Sequence, residues 1–410
     1  MNPHLIVIGG GAAGFFCAVN AARLNNKLRV TVLEKSSKLL SKVKISGGGR
    51  CNVTNYISDP DIFSSMYPRG NRFVRKAFYQ FYNADTIEWF ESRGVKLHAE
   101  KDGRMFPVTN NSQTIIDCLM NEANHYGVEF MMQSSVKQIN KSESGWELML
   151  SDGRNFNADT ICMATGGGNK LEHFQILQAL GHTISPPVPS LFTFNLPGHP
   201  ITELMGLSVS NATVKIQSEN LKESGPLLIT HWGLSGPAVL RLSAWGAQLF
   251  AAKNYRFTIV VNWLNQEKEE QVRFLFQQIR IQNGSKKISA TCPFELPQRL
   301  WVYLLTQSDI EDGCRWADLS HKKQNQLIRL LVSSEFKVEG KSTFKEEFVT
   351  AGGVDLKEIQ VATMESKLQE GLYFAGEVMD VDGITGGFNF QHAWTSGFVA
   401  ASAIAKKLMN

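Results

Sequence analysis

Three glycines and one carboxylate near the N-terminus offer the first recognisable chemistry. Gly9, Gly11 and Gly14 occupy the first, third and sixth places of Gly-x-Gly-x-x-Gly, with Ala12 and Ala13 between the last two. In such a turn the first glycine permits a sharp bend and the second lets backbone approach a pyrophosphate. The third lets a helix pack closely on a strand. The N-terminus of that helix presents N–H groups and partial positive charge to the anion. Glu34 follows about 20 residues later, where a carboxylate can accept a ribose hydroxyl. Glycine-rich turns are common, so the spacing to Glu34 and the flanking strands are what make this a dinucleotide site.

A second group follows at once. Lys35 and Lys42 lead into Ser46-Gly47-Gly48-Gly49-Arg50-Cys51-Asn52, with Asn55 just beyond. Three successive glycines let the backbone lie against a flat or charged ligand. Arg50, Asn52 and Asn55 are donors suited to phosphate or to the carbonyl edge of a flavin, and Lys42 can hold an anion. Cys51 is either an acid beside a redox-active ring or a buried structural thiol. His231, in Thr230-His231-Trp232-Gly233, is either a proton carrier or a structural histidine, since imidazole ordinarily titrates near neutrality. Ser235 has no nucleophile elbow around it, which argues against a serine hydrolase.

The elements that must position these groups alternate between strand and helix. Leu5 to Ile8 is a short buried strand, Phe15 to Leu24 a helix, and Arg29 to Leu33 a second strand. Helical patterning fills Asn71 to Val95 and, capped by Ser112, Gln113 to Tyr126. Strands are expected at Gly127 to Met132, Val136 to Ile139 and Trp146 to Leu150, with a hairpin turn at Asp152-Gly153. Ala158 to Ala164 is a buried parallel-type strand that ends in Thr165-Gly166-Gly167. Ser185-Pro186-Pro187-Val188-Pro189 is rigid punctuation and marks a domain boundary. Beyond it, Leu191 to Leu196, Leu207 to Gln217, Gly225 to Thr230 and Arg256 to Trp263 alternate as antiparallel strands. Helices are expected at Glu267 to Ile281, Pro297 to Thr306 and Lys322 to Ser333, and strand character returns at Phe336 to Val338 and Phe344 to Thr350. Gly371 to Glu377 is a closing strand, and Gly386-Gly387-Phe388-Asn389 opens a helix that runs to about Leu408.

These elements predict an α/β fold. Residues 1–189 and 355–410 would form a Rossmann-type domain with a parallel sheet, of the two-dinucleotide-fold kind. Residues 190–265 and 335–354 would form an inserted antiparallel β-barrel, and residues 266–334 a small helical domain nested in it.

The composition suits a soluble enzyme: 43% hydrophobic and 20% charged residues in a chain of 410. A net charge of +4 is too small to imply nucleic acid. The six cysteines have neither Cys-x-x-Cys spacing nor a histidine pattern suited to zinc, so no metal is expected and the thiols should be reduced. The apolar N-terminal run enters the glycine turn after a few residues, and no apolar stretch approaches the length of a membrane span. No leader and no membrane are therefore expected, and the protein is expected in the cytoplasm. The oligomeric state stays open.

From Lys42 through Ser46-Gly-Gly-Gly-Arg-Cys-Asn52 to Thr54-Asn55, directly after a Rossmann βαβ, the sequence resembles the YhiN-like or BaiN/RdsA-like NAD(P)/FAD-dependent oxidoreductases. That group includes aminoacetone-oxidase-like flavoproteins. Further matches are Thr230 to Pro237, Val349 to Val354, Thr363 to Lys367, Gly371 to Val378 and Gly386 to Asn389, in one order over nearly the whole chain. The resemblance implies FAD, and the same barrel and helical insertions. It implies that Ala164, Thr165, Gly166 and Gly167 lie beside the cofactor, and that Gly376 and Glu377 hold the ribityl chain, with Asp380 and Asp382 as alternatives. Gly386, Gly387, Phe388 and Asn389 would bring helix N–H groups to the flavin pyrimidine, favouring negative charge on the reduced ring. The chain departs from the family pattern after Gly167. Members usually continue with serine, proline and several glycines, whereas this sequence reads Gly168-Asn169-Lys170-Leu171-Glu172-His173, so the substrate mouth is expected to differ.

Hydride transfer through flavin N5 is the activity the resemblance implies. A second glycine-rich fingerprint is absent, so NAD(P)H would visit the flavin only transiently as reductant. Three reactions are open: amine oxidation, reduction of an unsaturated steroid-like ring, and reduction of a uridine of ribosomal RNA to dihydrouridine. A small molecule or ribosomal RNA is thus the expected partner. Lys286, Lys287, Lys322, Lys323, Arg273 and Arg280 are scattered basic residues, better read as a solvated face than as an RNA track.

Overall fold

A computed structural model describes residues 2–143, 145–168, 170–265, 267–290, 292–342 and 349–409. The chain divides into two compact units, Met1–Ser190 with Lys345–Asn410, and Leu191–Phe344.

The first unit is built on a five-stranded sheet in the order Leu372–Phe374, Thr160–Met163, His4–Ile8, Arg29–Leu33, Glu129–Met131. Every pairing in it is parallel. Leu5, Ile6, Val7, Val32, Ile161, Leu372 and Phe374 are buried, the continuous apolar run that a sheet covered on both faces requires. Ala12–Leu24 packs against the C-terminal helix Phe388–Lys407. Gly397 makes this approach possible, because a Cβ there would fall 2.8 Å from the Ala13 carbonyl oxygen. Phe16, fully buried, gathers Phe81, Trp89, Phe90 and Trp394 around one ring. Truncating such a ring to Ala costs about 3–5 kcal/mol.

Several local expectations change. The helical stretch after Asn71 is two helices, Asn71–Phe78 and Asn83–Glu91. Asn111, not Ser112, caps the helix Ser112–His125, accepting the Gln113 N–H at 2.9 Å, while Ser112 donates to the Lys44 carbonyl. The segment before the three glycines is helical from Ser41. The proline-rich stretch is a strand, Ile184–Ser190, paired antiparallel with Val349–Val354. The register shifts between Ser185 and Val188, which spares Pro186 and Pro187 the N–H donation that proline cannot make. Val349–Val354 therefore belongs to the first unit rather than to the insertion. Thr343 to Phe348, part of the strand expected from Phe344, lie outside the described residues, as does Asn169.

The second unit holds a seven-stranded antiparallel sheet in the order Ser334–Glu339, Arg256–Asn262, Ser208–Ile216, Lys222–Ile229, Gly233–Ser235, Thr193–Asn195, Lys341–Ser342. Its first and last strands adjoin through Gly340, so the order returns on itself. Two helices that the sequence pattern did not reveal, Pro237–Trp245 and Ala247–Ala252, interrupt the strands. The helices Glu269–Asn283, Gln298–Gln307 and His321–Val332 share one buried core with the strands, in which Phe194, Ile229 and Val261 lie with Phe276, Trp301 and Leu331.

Candidate functional site: a glycine-lined crevice at the strand ends

The carboxyl ends of the parallel strands collect most of the residues singled out above. Gly9 sits at φ +117°, and a Cβ on it would fall 2.2 Å from the Ala164 carbonyl oxygen. A Cβ on Gly14 would fall 2.0 Å from the Gly9 carbonyl oxygen. Both positions demand glycine, and together they lock the first turn against the turn after Thr160–Met163. Gly11 caps the helix Ala12–Leu24 without any side-chain acceptor, and the space a Cβ would occupy on it is open. The first-turn N–H groups at Ala12 and Ala13 thus head a helix of 13 residues with room for an anion in front of them. Glu34 is clamped beside this turn: Oε2 accepts the Gly10 N–H at 2.8 Å and Oε1 the Ser36 N–H at 2.8 Å. Lys35 next to it is exposed.

Gly47, Gly48 and Gly49 all take left-handed φ, and Cys51 follows at φ +62°. Around Gly48 and Gly49 a Cβ would meet nothing, so this backbone borders open space. Ser46 turns inward, its hydroxyl donating to the Val43 carbonyl and its carbonyl accepting the Cys51 N–H. Cys51 is fully buried, and burial pushes its thiol up to about 12. Arg50 lies over the Phe106 ring, 4.0 Å from its centroid, and pairs with Glu100 at 2.7 Å. With its amide turned so that both groups are satisfied, Asn52 donates to the Thr54 carbonyl at 3.0 Å and accepts the Gly387 N–H at 2.9 Å. Asn55 donates to the Gly386 carbonyl at 3.1 Å. These amides fasten the N-terminal glycine run to the start of the C-terminal helix, across more than 300 residues of sequence.

The C-terminal half supplies the opposite wall. Gly376 donates its N–H to Ser396 Oγ and its carbonyl accepts from His392 Nε2 at 3.2 Å. Glu377 Oε2 meets Lys42 Nζ at 2.6 Å, and Oε1 accepts the Thr350 N–H at 2.7 Å. Gly167 packs tightly here, since a Cβ on it would fall 2.9 Å from Glu377 Oε1. Phe388 turns into the core against Phe63 and Tyr67, and Asn389 ties down both the N–H and the carbonyl of Gly383. Their side chains therefore shape the turn before the helix. Asp382 is fully buried, bound by Arg69 and by the Ser190 hydroxyl at 2.9 Å. Asp380 Oδ1 is buried and finds no hydrogen-bond partner among the described residues. Burial raises both carboxyls above the ordinary range.

His231 belongs to the second unit, on an exposed turn, its ring tilted against Trp232 at 4.4 Å between centroids. Sequence reasoning missed Thr350, His173 and the Arg69–Asp382 pair. A Thr in Val349-Thr350-Ala351 gave a motif without a role, and an ion pair 313 residues apart leaves no local signal.

An elongated dinucleotide fits these residues. An uncapped helix end suits a pyrophosphate, Glu34 and Glu377 suit hydroxyls, and the bare glycine backbones leave room for a planar ring. Among the described residues no cluster of side chains could hold a metal, and no helix is long and apolar enough to cross a membrane.

Comparison with known proteins agrees. Residues 3–403 match the HI0933-like protein Rossmann domain. The 3-dehydro-bile acid delta(4,6)-reductase of Clostridium scindens is 30% identical over 98% of both chains. The ribosomal RNA dihydrouridine synthase of Escherichia coli is 32% identical over 97% of this chain and 96% of its own. Among solved structures, the 3-ketosteroid delta1-dehydrogenase of Sterolibacterium denitrificans matches 99% of this chain and 100% of its own with a TM-score of 0.52 at 12% identity, a likeness of fold. The E. coli quinol fumarate reductase matches with a TM-score of 0.52 at 13% identity, over 100% of this chain and 71% of its own. The chain belongs to the HI0933-like Rossmann-domain family and is an FAD-dependent oxidoreductase.

Proposed function

We propose that the protein reduces a carbon–carbon double bond conjugated to a carbonyl, with NAD(P)H as the transient reductant. The observation that carries this reading is the pair of full-length relatives. A 3-oxo steroid nucleus with ring double bonds and a uridine ring both present such an alkene, and each of those proteins is named for reducing one. Bound FAD supplies a two-electron hydride store at N5. In this reading the first-turn N–H groups at Ala12 and Ala13 take the pyrophosphate. Glu34 and Glu377, with Lys42 beside Glu377, take cofactor hydroxyls. Gly48, Gly49, Arg50 and Asn52 border the ring, as do Ala164 to Gly167, while Gly386 and Gly387 set the helix N-terminus that favours a reduced, anionic ring.

Reduction of the alkene consumes a proton as well as a hydride, and we assign candidates for it to Cys51 and His231. Buried and neutral, the Cys51 thiol can donate a proton but cannot serve as a base. His231, exposed beside Trp232, can carry a proton to or from solvent. We place the protein in the cytoplasm, a placement supported by six free cysteines among the described residues.

The test is anaerobic. Purified protein is reduced with NADH or NADPH, then mixed with a 3-oxo steroid dienone or with ribosomal RNA lacking dihydrouridine. Reoxidation of the flavin by either alkene, with the saturated product recovered, supports the proposal and identifies the substrate class. Failure of both alkenes to reoxidise the flavin, with a primary amine reducing it and later admission of air restoring it, would transfer the protein to the amine oxidases.

A further inference from the structure

The turn at Thr165 to Gly168 is where the chain leaves the family pattern, and its altered continuation brings in a histidine. Leu171–Phe174 forms a short 3-10 helix. It lays the His173 imidazole over Gly168 so closely that a Cβ on Gly168 would fall 2.5 Å from His173 Cγ. On the other flank of the same turn, a Cβ on Gly167 would fall 2.3 Å from Thr350 Oγ1 and 2.9 Å from Glu377 Oε1. Lys35 and Glu377 both act on the ring electrostatically, and it lies against the Gly166 and Thr165 backbone. The ring thus stands at the carboxyl end of Thr160–Met163, among the residues assigned above to the cofactor.

Its hydrogen-bond accounting is incomplete. Nε2 is buried and has no hydrogen-bond partner among the described residues. Burial, and then Lys35, hold the imidazole below its ordinary titration range, which keeps it neutral. A neutral ring with its proton on Nδ1 carries a lone pair on Nε2. A buried acceptor of this kind is costly unless a donor reaches it.

We propose that His173 is a cofactor-binding residue whose Nε2 accepts a hydrogen bond from a hydroxyl group of FAD. The adenosine ribose and the ribityl chain both carry such hydroxyls. The proposal rests on FAD occupying the crevice.

The experiment compares the parent, His173→Ala and His173→Gln as apoproteins, titrated with FAD by flavin fluorescence and with ADP by calorimetry. His173→Ala should bind FAD about three- to tenfold more weakly, the loss of one neutral hydrogen bond. Gln carries an acceptor oxygen at similar reach and should recover most of that loss. An equal loss for ADP assigns the hydroxyl to the ribose, and an unchanged ADP affinity assigns it to the ribityl chain. His173→Ala binding FAD as tightly as the parent, or His173→Gln binding no better than His173→Ala, overturns the proposal. A parent protein that binds no FAD would instead overturn the cofactor assignment itself.

Discussion

Replacing Glu34 separates two jobs that one carboxylate performs. Its oxygens accept the Gly10 and Ser36 N–H groups, each at 2.8 Å. A carboxylate has about four lone-pair sites, so about two remain for a ribose hydroxyl. Glu34→Ala deletes both backbone bonds, and water reaches this half-buried position to replace part of each. Hydrogen bonds to charged groups are worth about 1.5–3 kcal/mol apiece, so partial replacement leaves an expected loss of about 1–3 kcal/mol in the stability of the apoprotein. Loss of the ribose bond should cost FAD affinity a further ten- to hundredfold, on the order of 1.5–3 kcal/mol. Urea unfolding of the apoprotein reads the first effect. A thermodynamic cycle with ADP and 2′-deoxy-ADP, alongside the ribose-dideoxy analogue, reads the second without confusing it with turn distortion. Removing the hydroxyl should weaken binding to the parent and leave binding to Glu34→Ala nearly unchanged. If both proteins lose the same affinity when the hydroxyls are removed, Glu34 only clamps the turn and the ribose lies elsewhere.

Three further outcomes follow from the same geometry. His392 is buried, and burial pulls it down to about 4, so between pH 6.5 and 4 the unfolded chain holds a proton that the native state lacks. Stability should therefore fall as pH drops through that window, by about 3 kcal/mol from this residue, and urea midpoints at pH 7 and 5 should differ less in His392→Gln than in the parent. Asp382→Ala leaves Arg69, whose side chain is only 14% exposed, without this carboxylate, and should destabilise the fold by about 3–5 kcal/mol in thermal unfolding. An unchanged melting temperature would mean that the pair contributes nothing. Cys51→Ser and His231→Ala should both retain FAD while at least one loses about 10²–10⁴-fold in alkene reduction; parental turnover in both would make them structural.

The Rossmann core was readable because its requirements are local. A buried strand, a glycine turn, a helix and an acidic strand end occupy one continuous stretch from Leu5 to Glu34, and each imposes its own residue type. Features fixed by partners distant in sequence were harder to see. Prolines at 186, 187 and 189 look like punctuation until Val349–Val354 supplies a strand to pair with and a bulge takes up Pro186 and Pro187. Ser41 to Ile45 has no apolar periodicity, yet it is helical because Leu40 and Val43 are buried beside the glycine turn. Arg50 suits a phosphate by residue type, but Glu100 and the Phe106 ring, 50 and 56 residues away, decide its surroundings. His173 carries no recognisable pattern, and only the three-dimensional structure brings its ring over Gly168.

The most direct test of the central claim is the flavin itself. Protein purified without added cofactor and then denatured should release FAD, close to one per chain. Before denaturation, that flavin should take up two electrons from NADH or NADPH without oxygen. Recovery of FMN, of NAD alone, or of no flavin even after incubation with FAD would contradict it.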